Sequence, residues 1–451
     1  MKKLLITLLV LTGVTALAAQ AKTPDINSAL SGIGINKNAI AISVKNTSGG
    51  KVLFSHNQNL PINPASTQKV ITATVALDTL GKDFEFVTTL YKTTNNELQL
   101  KLSADPGFTK GNLSDLMKTA KEKNIIEPKA FYIDDYVMDS VEWGEGWQWD
   151  DDLNPLMPKF SSYNIDRNLL TAVIDPSSKG APANIKLTTF YPVTFMNMVT
   201  SGNENSIELS RSNHISPDII NVSGTIKERA SYIIPVNSPK RYFFIKLDEA
   251  IRSAKIEYYG QFIQRKTPSA NIYLVDEIKH PISGTLKDIF KNSNNMAAET
   301  LFKVAGGKYV NNTGALKNSL KMFDEYCKKN GLKRDDIKIV DGSGVSKNNL
   351  MTADFMTDFL VLQTKKEGFD DYIKLFPTAG EGTLQNRMLY FKDIIRVKTG
   401  TLSDVSSICG YIKTRNGNLV AFDIMINDAK SAPSEKKAAE EQIIRAIYNK
   451  Y

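Results

Sequence analysis

The stretch Pro64-Ala-Ser-Thr-Gln-Lys-Val-Ile-Thr-Ala-Thr-Val-Ala-Leu77 decides the fold, because a polar tetrapeptide leads there directly into an apolar run. The run has helical spacing and stops near Gly81, so the sequence predicts a helix that begins at about Ser66. Residues three apart on a helix share a face, which brings the Lys69 amine within reach of the Ser66 hydroxyl. A serine becomes a nucleophile when a neighbouring base accepts its proton. The stretch therefore predicts a nucleophilic serine with a lysine base.

Two shorter motifs follow in order, Ser293-Asn-Asn295 and Lys398-Thr-Gly400. The first falls at a predicted junction between helical turns, where a second hydroxyl can relay a proton and an amide can hold a substrate carbonyl. The second follows a predicted strand, against which a substrate backbone can lie. The Lys398 cation and burial together favour a lowered pKa for Lys69. The three motifs predict one site built on two serines and two lysines.

Each motif has a competing interpretation. Ser-x-x-Lys recurs at Ser48, among glycines that favour a turn, and at Ser434, which begins a charged helix where Lys437 would be solvated. Ser-x-Asn also recurs, and both residue types are favoured helix caps. Lys-Thr-Gly occurs once. The order and setting of the three motifs favour catalysis over these alternatives.

The start of the chain predicts export. Residues 1–21 combine Lys2-Lys3, an apolar run and an Ala19-Gln-Ala21 cleavage site, which is typical of a secretory signal peptide. The run is short for a membrane span, and no cysteine follows it to take a lipid. The net charge is +8, with acids and bases interspersed, which argues against nucleic-acid binding. We expect at most loose association with a membrane.

No cofactor or metal is predicted. The three histidines, His56, His214 and His280, are scattered without the spacing of metal ligands. The two cysteines, Cys327 and Cys409, do not form a disulfide scaffold, and their pairing stays open.

The length predicts more than one domain. An N-terminal hairpin, helices and late strands predict an α+β catalytic domain, in which flanking helices cover an antiparallel sheet (Ala39–Phe54, Thr285–Val304, Ile394–Val397, Leu419–Met425 and Ser434–Tyr448). Much of the chain between Phe84 and Asn271 has short β-rich runs between polar turns, which is typical of inserted material. The predicted division is a catalytic domain, an inserted domain and a nested β-rich domain (22–82 with 272–451, 83–184 with 256–271, and 185–255).

Longer stretches resemble the D-alanyl-D-alanine carboxypeptidase/endopeptidase family, the class C low-molecular-mass penicillin-binding proteins of the penicillin-binding protein 4 type (peptidase family S13). Three catalytic-domain stretches resemble the family patterns DGSGLS-x-x-N-x-x-T, G-x-x-GTL-x-x-R and KTGTL-x-x-VS (Asp341–Thr352, Ala379–Arg387 and Lys398–Ser406). Three stretches of the insertion resemble GW-x-W-x-D, DRN and VSGTI (Gly146–Asp151, Asp166–Asn168 and Val222–Ile226). The resemblance covers essentially the whole mature chain and implies a serine β-lactamase/DD-peptidase-like catalytic domain with one or two extra domains inserted.

The resemblance implies a role for each motif residue. Ser66 would be the acylated nucleophile, Lys69 its base and Ser293 a proton relay. The substrate would be bound by Asn295 and by the segment Lys398, Thr399, Gly400 and Thr401. Within that segment, Lys398 and Thr399 would face the terminal carboxylate, and the N–H groups of Ser66 and Thr401 would form the oxyanion hole.

The resemblance also gives Asp151 a role in the insertion, where it would contact the amino end of a diamino-acid side chain. Asp150 and Asp152 stand beside it and leave a one-residue alignment open. The tryptophans nearby, Trp143, Trp147 and Trp149, either wall the cleft or pack within the insertion.

The implied function is hydrolysis of the D-Ala-D-Ala bond in peptidoglycan stem peptides, with cleavage of cross-links, through an acyl-serine that β-lactam antibiotics would also form. The implied location is the periplasm. A β-lactamase and a catalytically silent peptidoglycan-binding protein are the alternatives. The balance between carboxypeptidase and endopeptidase action, the cross-bridge chemistry and the oligomeric state, including a homodimer, stay open.

Overall fold

The computed structural model describes residues 25–212 and 215–451. The predicted signal peptide and His214 lie outside these residues. Within these ranges, no helix is both long and apolar enough to cross a membrane.

Strands and helices are interspersed along the chain, with six consecutive strands in the inserted region. The strands, in chain order, are β1 (Ile40–Asn46), β2 (Val52–His56), β3 (Glu85–Thr93), β4 (Leu98–Lys101), β5 (Phe131–Asp134), β6 (Leu169–Asp175), β7 (Asn184–Leu187), β8 (Thr194–Ser201), β9 (Ser206–Arg211), β10 (Ile219–Ile226), β11 (Ala230–Pro235), β12 (Phe262–Gln264), β13 (Ile272–Pro281), β14 (Ile395–Thr401), β15 (Val405–Lys413) and β16 (Leu419–Asn427). The α-helices are α1 (Ile26–Gly32), α2 (Lys69–Leu80), α3 (Lys110–Glu122), α4 (Pro239–Ser253), α5 (Ile282–Asn292), α6 (Asn295–Val310), α7 (Leu316–Lys329), α8 (Ala353–Thr364), α9 (Phe369–Tyr372) and α10 (Pro433–Lys450).

The catalytic sheet is antiparallel and has the order β14-β15-β16-β1-β2. The N-terminal hairpin therefore joins the C-terminal strands in one sheet, as the sequence predicted. The predicted strands at Ile394–Val397 and Leu419–Met425 are not neighbours, because β15 lies between them. Strand propensity identified the segments but carries no information on which strand pairs with which.

Both faces of this sheet are covered, which explains why β15 and β16 are buried almost throughout. Alternate residues along β16 enter different cores: Phe422 and Ile424 face a cluster that includes α1 and α10, whereas Ala421 and Met425 face the cluster of α2, α6 and α8. The second cluster places α2 beneath the sheet. The position of Ser66 and Lys69 is thus set by the main core.

Helix α2 follows the sequence prediction closely. It ends at Leu80, and Gly81 caps it with a φ of 87°, a positive value that glycine adopts without steric cost. The predicted helical segment Thr285–Val304 consists of two helices, α5 and α6, and the junction predicted at the second motif separates them at Ser293 and Asn294. This break gives the second motif its geometry.

The inserted region contains a sheet of order β12-β5-β4-β3-β13 and two three-stranded sheets, β11-β6-β7 and β8-β10-β9. It also contains α3 and α4, so it is less uniformly β than its sequence texture suggests. The predicted catalytic segment begins at residue 272, but β13 pairs along its length with β3 of the inserted sheet. The other domain boundaries stay predictions.

Candidate active site

The turn that carries Ser66 is a short 3-10 helix over Ala65–Gln68, placed directly before α2. Ala65 has a φ of 46°, and its N–H donates to the Asn63 side chain at 2.8 Å. The Ser407 hydroxyl of β15 donates to the Pro64 carbonyl at 2.6 Å. Strained backbone persists only where the surroundings hold it in place, and these bonds fix the Ser66 turn against the sheet.

The Lys69 amine is fully buried and has three partners. Its Nζ lies 2.8 Å from Ser66 Oγ, 2.6 Å from Asn295 Oδ1 and 2.6 Å from the Ser343 carbonyl oxygen. The amide and carbonyl oxygens can only accept hydrogen bonds, so they take two N–H groups of the amine. In the neutral amine the remaining position is a lone pair, and it faces the Ser66 hydroxyl.

Burial is the main cause that lowers the pKa of Lys69, to about 7, although the nearby carboxylates of Asp341 and Glu299 act in the opposite direction. The sequence predicted burial and a second cation as the causes. Repulsion between the two lysines affects Lys398 instead. Burial, and then repulsion from Lys69, hold the pKa of Lys398 well below its usual range. Near neutral pH, Lys69 is therefore balanced between its two protonation states.

Two buried acids shape the acceptor for Lys69, and sequence reasoning missed their role. Glu299 accepts from the N–H groups of Gly342 and Ser343, at 2.9 and 2.8 Å. Asp341 accepts from the N–H of Gly344 at 2.7 Å, among several donors. Burial, followed by repulsion from Asp341, raises the pKa of Glu299. The available signals were the single acid of a mostly apolar helix and an aspartate followed by alternating glycines.

Ser293 lies at the break between α5 and α6, in the left-handed conformation with a φ of 59°. Asn294 caps α6 by accepting from the Ala297 N–H at 3.0 Å. The cap interpretation and the functional interpretation are thus compatible, because the cap forms at Asn294 and leaves the Ser293 hydroxyl directed at Lys398. Lys398 Nζ donates to Ser293 Oγ at 2.9 Å and to the Thr399 carbonyl at 2.7 Å.

Strand β14 passes very close to the turn that carries Ser66. A Cβ added to Gly400 would lie 2.7 Å from the Ser66 nitrogen and 2.3 Å from Ser407 Oγ, so only glycine fits without displacement. Thr399 donates its hydroxyl hydrogen to Thr383 Oγ1 at 2.8 Å, and Thr401 is exposed at the cleft. The segment 398–401 thus forms one wall beside Ser66.

A cleft of about 610 Å³ is bordered by Ser66, Ser293, Asn295, Thr399 and Thr401, and the insertion supplies its opposite wall. Asn295 Nδ2 donates to the Leu156 carbonyl of the insertion at 2.7 Å. Trp147 also lines the cleft, although most of its ring is buried, and its Nε1 donates to Asp341 at 2.9 Å. Trp149 is 79% exposed, so the tryptophans of this stretch do not share one role.

The three neighbouring aspartates of the insertion have different surroundings. Asp151 lines the cleft. Asp152 forms an ion pair with Arg211 at 2.9 Å, and Asp150 is exposed. This placement favours Asp151 over its neighbours as the residue that faces a ligand.

Neither serine of the competing Ser-x-x-Lys matches is among the residues that line the cleft. Ser48 is exposed in the turn after β1 and its hydroxyl bonds to Asn46. Ser434 is exposed at the start of α10, whereas Lys437 is half-buried and lines the cleft, contrary to the expectation that it would be solvated. Cys327 and Cys409 are both buried and free, and burial raises the pKa of each thiol. In the described ranges, no three His, Cys, Asp or Glu side chains form a group that could hold a metal ion.

The fold and this arrangement of serines and lysines define a class of serine peptidase. The chain matches the model of the D-Ala-D-Ala carboxypeptidase 3 (S13) family over residues 23–449 and belongs to that family. The family resemblance and the enzyme class predicted from the motifs are thereby confirmed.

Two relatives of this chain are named D-alanyl-D-alanine carboxypeptidases. The D-alanyl-D-alanine carboxypeptidase DacB of Haemophilus influenzae is 24% identical over 432 residues, which is 91% of this chain and 90% of the relative. The D-alanyl-D-alanine carboxypeptidase of Actinomadura sp. strain R39 is 26% identical over 443 residues, which is 91% of this chain and 81% of the relative.

A solved structure confirms the predicted fold. The crystal structure of penicillin-binding protein 4 (dacB) from Haemophilus influenzae has a TM-score of 0.83 to this chain at 24% identity, and covers 94% of this chain and 99% of that one. The α+β catalytic domain with a large insertion is therefore the fold of this protein.

Lys69 sets the first prediction. As the predicted base, Lys69 would accept a proton only as the neutral amine, which is populated above a pKa of about 7. The acylation rate should therefore rise with pH across neutrality and be lost as pH falls through that value. Lys69→Arg should lower the acylation rate at least about a hundredfold and abolish its rise with pH, because guanidinium stays protonated. Stopped-flow acylation by a reporter β-lactam measures both. Lys51→Arg, in the Ser48 motif, is the matched control, and a Lys69→Arg enzyme with normal rates would remove Lys69 as the base.

Gly400 sets the second prediction. Gly400→Ala should push β14 away from the Ser66 turn and lower the acylation rate at least about tenfold, since small displacements of reacting groups are costly. The added methyl group should also cost about 1–3 kcal/mol of stability. Gly34→Ala, where a Cβ would meet open space, is the control. Unchanged acylation with normal thermal unfolding would show that the close approach is unimportant.

Proposed function

We propose that this protein hydrolyses the D-Ala-D-Ala bond of peptidoglycan stem peptides through an acyl-serine intermediate on Ser66. Its membership of the D-Ala-D-Ala carboxypeptidase family supports the reaction class. The observation that carries the mechanism is the buried Lys69 amine, whose two acceptor-only partners leave its lone pair for Ser66.

In the acylation step, Ser66 Oγ attacks the carbonyl carbon of the penultimate D-alanine while its proton passes to Lys69 Nζ. The N–H groups of Ser66 and Thr401 would hold the oxyanion, since β14 brings the two segments together. The scissile C–N bond then breaks, and the leaving amine takes a proton through Ser293, which Lys398 contacts. Water hydrolyses the ester and frees Ser66.

The two walls of the cleft fit the two ends of the substrate. Lys398, Thr399 and Thr401 offer an amine and hydroxyls to the terminal carboxylate, and Asn295 offers an amide to the peptide. Asp151, on the opposite wall, offers a carboxylate to the amino end of a diamino-acid side chain. Cross-linked peptides, in which that amine forms an amide, remain N–H donors, so endopeptidase action is compatible with the same site.

We infer further that the protein acts in the periplasm, where peptidoglycan is accessible, and that β-lactam antibiotics acylate Ser66. The Haemophilus influenzae penicillin-binding protein 4 has been solved in complex with a β-lactam, which supports this inference. Rapid turnover of penicillin would instead favour a β-lactamase. Failure to trap it on intact protein would favour a catalytically silent wall-binding protein.

The nucleophile assignment gives the third prediction. Ser66→Ala should abolish both covalent labelling by fluorescent penicillin and D-alanine release, because the ester cannot form. Ser48→Ala and Ser434→Ala, at the other Ser-x-x-Lys motifs, are matched controls and should label normally. Labelling that disappears in either control and survives in Ser66→Ala would move the nucleophile to that site.

Asp151 gives the fourth prediction. Asp151→Asn should slow cleavage of stem peptides that contain a diamino acid by roughly 1–3 kcal/mol of lost charge-assisted hydrogen bonding. Penicillin acylation should stay nearly normal, because penicillin has no matching amine. Asp150→Asn is the control, since Asp150 is an exposed neighbour. Equal losses on peptide and penicillin would give Asp151 a structural role.

A further inference from the structure

Asp288 organises the turn that carries Ser293. Its Oδ1 accepts from Asn292 Nδ2 at 2.8 Å, and its Oδ2 accepts from Asn294 Nδ2 at 2.7 Å. Its backbone carbonyl accepts from the Ser293 N–H. Both residues that flank Ser293, and the Ser293 backbone itself, are therefore bonded to this one aspartate.

The same carboxylate receives a cation from the insertion. Arg167 donates from a guanidinium nitrogen to Asp288 Oδ2 at 3.0 Å. Arg167 is the middle of three consecutive left-handed residues, Asp166, Arg167 and Asn168, with φ of 48°, 58° and 56°. The fully buried Asn168 side chain holds this turn by donating to the Lys159 carbonyl at 2.8 Å.

Left-handed backbone at residues other than glycine costs free energy and persists only where several contacts fix it. Here the Arg167–Asp288 pair joins two such turns, one that presents the guanidinium and one that presents the Ser293 hydroxyl. On the other side, Lys291 pairs with Glu381, and a Cβ on Gly382 would lie 2.1 Å from the Lys291 carbonyl oxygen. The end of α5 is therefore clamped from both sides.

We infer that Arg167 is a positioning residue for the acyl-transfer reaction: through Asp288 it fixes the Ser293 hydroxyl at hydrogen-bonding distance from Lys398. This inference rests on the proposed function, in which Ser293 transfers a proton. The ion pair is partly solvated, with side chains 56% and 19% exposed, so its contribution to global stability is small. Its effect is on the geometry of the turn, and it makes the inserted region part of the catalytic machinery.

The test uses the full-length mature enzyme and a stem pentapeptide. Arg167→Ala should lower kcat about tenfold, the size expected when a positioned group loses a charge-assisted hydrogen bond, while KM stays within about twofold. Arg167→Gly should lose as much, because it relieves backbone strain but also lacks the guanidinium. Arg167→Lys should recover part of the rate. Asp288→Asn should also lower kcat. The double variant Arg167→Ala/Asp288→Asn should lose less than the sum of the two single losses, since both substitutions remove the same contact.

Arg229→Ala is the matched control, because Arg229 pairs with Asp175 in the insertion with similar exposure, 64% and 28%. It should leave kcat unchanged. A normal kcat in Arg167→Ala, additive effects with Asp288→Asn, or an equal loss in Arg229→Ala would overturn the inference. A wild-type enzyme that releases no D-alanine, or a Ser293→Ala variant as active as wild type, would instead overturn the proposed function.

Discussion

The burial of one amine governs the architecture of this site. Lys69 lies at the first turn of α2 with no exposed surface, and an ammonium there lacks the hydration that it has in water. Its pKa falls far enough for the neutral form to exist near pH 7. The rest of the site either excludes water from that amine or orients its hydrogens. Helices of the main core pack against α2 and contribute to the exclusion of water.

Support for the amine comes from parts of the chain that are distant in sequence. Glu299 on α6 holds the backbone of the Asp341–Gly344 loop, whose Ser343 carbonyl receives one hydrogen of the Lys69 amine. The insertion positions Asn295 through the Leu156 carbonyl, and Asn295 receives another. A shift in any of these supports would change the direction of the Lys69 lone pair as well as the strength of one of the hydrogen bonds that the amine donates.

The sequence was informative wherever geometry is local. Helical spacing alone placed Lys69 beside Ser66, and the glycine at position 81 marked the end of α2. The sequence did not predict pairings between segments that are far apart along the chain. The position of β15 between two predicted strands and the pairing of β13 with β3 depend on packing that no short pattern encodes. The support from Glu299 and the Arg167–Asp288 contact are of the same kind. Motifs thus identified most of the groups that the structure brings together around Ser66, but few of those that hold them in place.

The order of the catalytic sheet has a consequence for how the chain assembles. Strand β1 pairs with β16, so the sheet cannot form completely until residues near Ile426 are available to pair with residues near Ile40. The inserted region is almost contiguous and has its own apolar cluster, which allows it to pack earlier. Pairings so distant along the chain form slowly, because the entropy of closing a long loop precedes the contacts that compensate for it. During synthesis, Ser66 and Lys69 emerge early, yet the wall beside them arrives with β14 near the end, so an incomplete chain has no competent cleft.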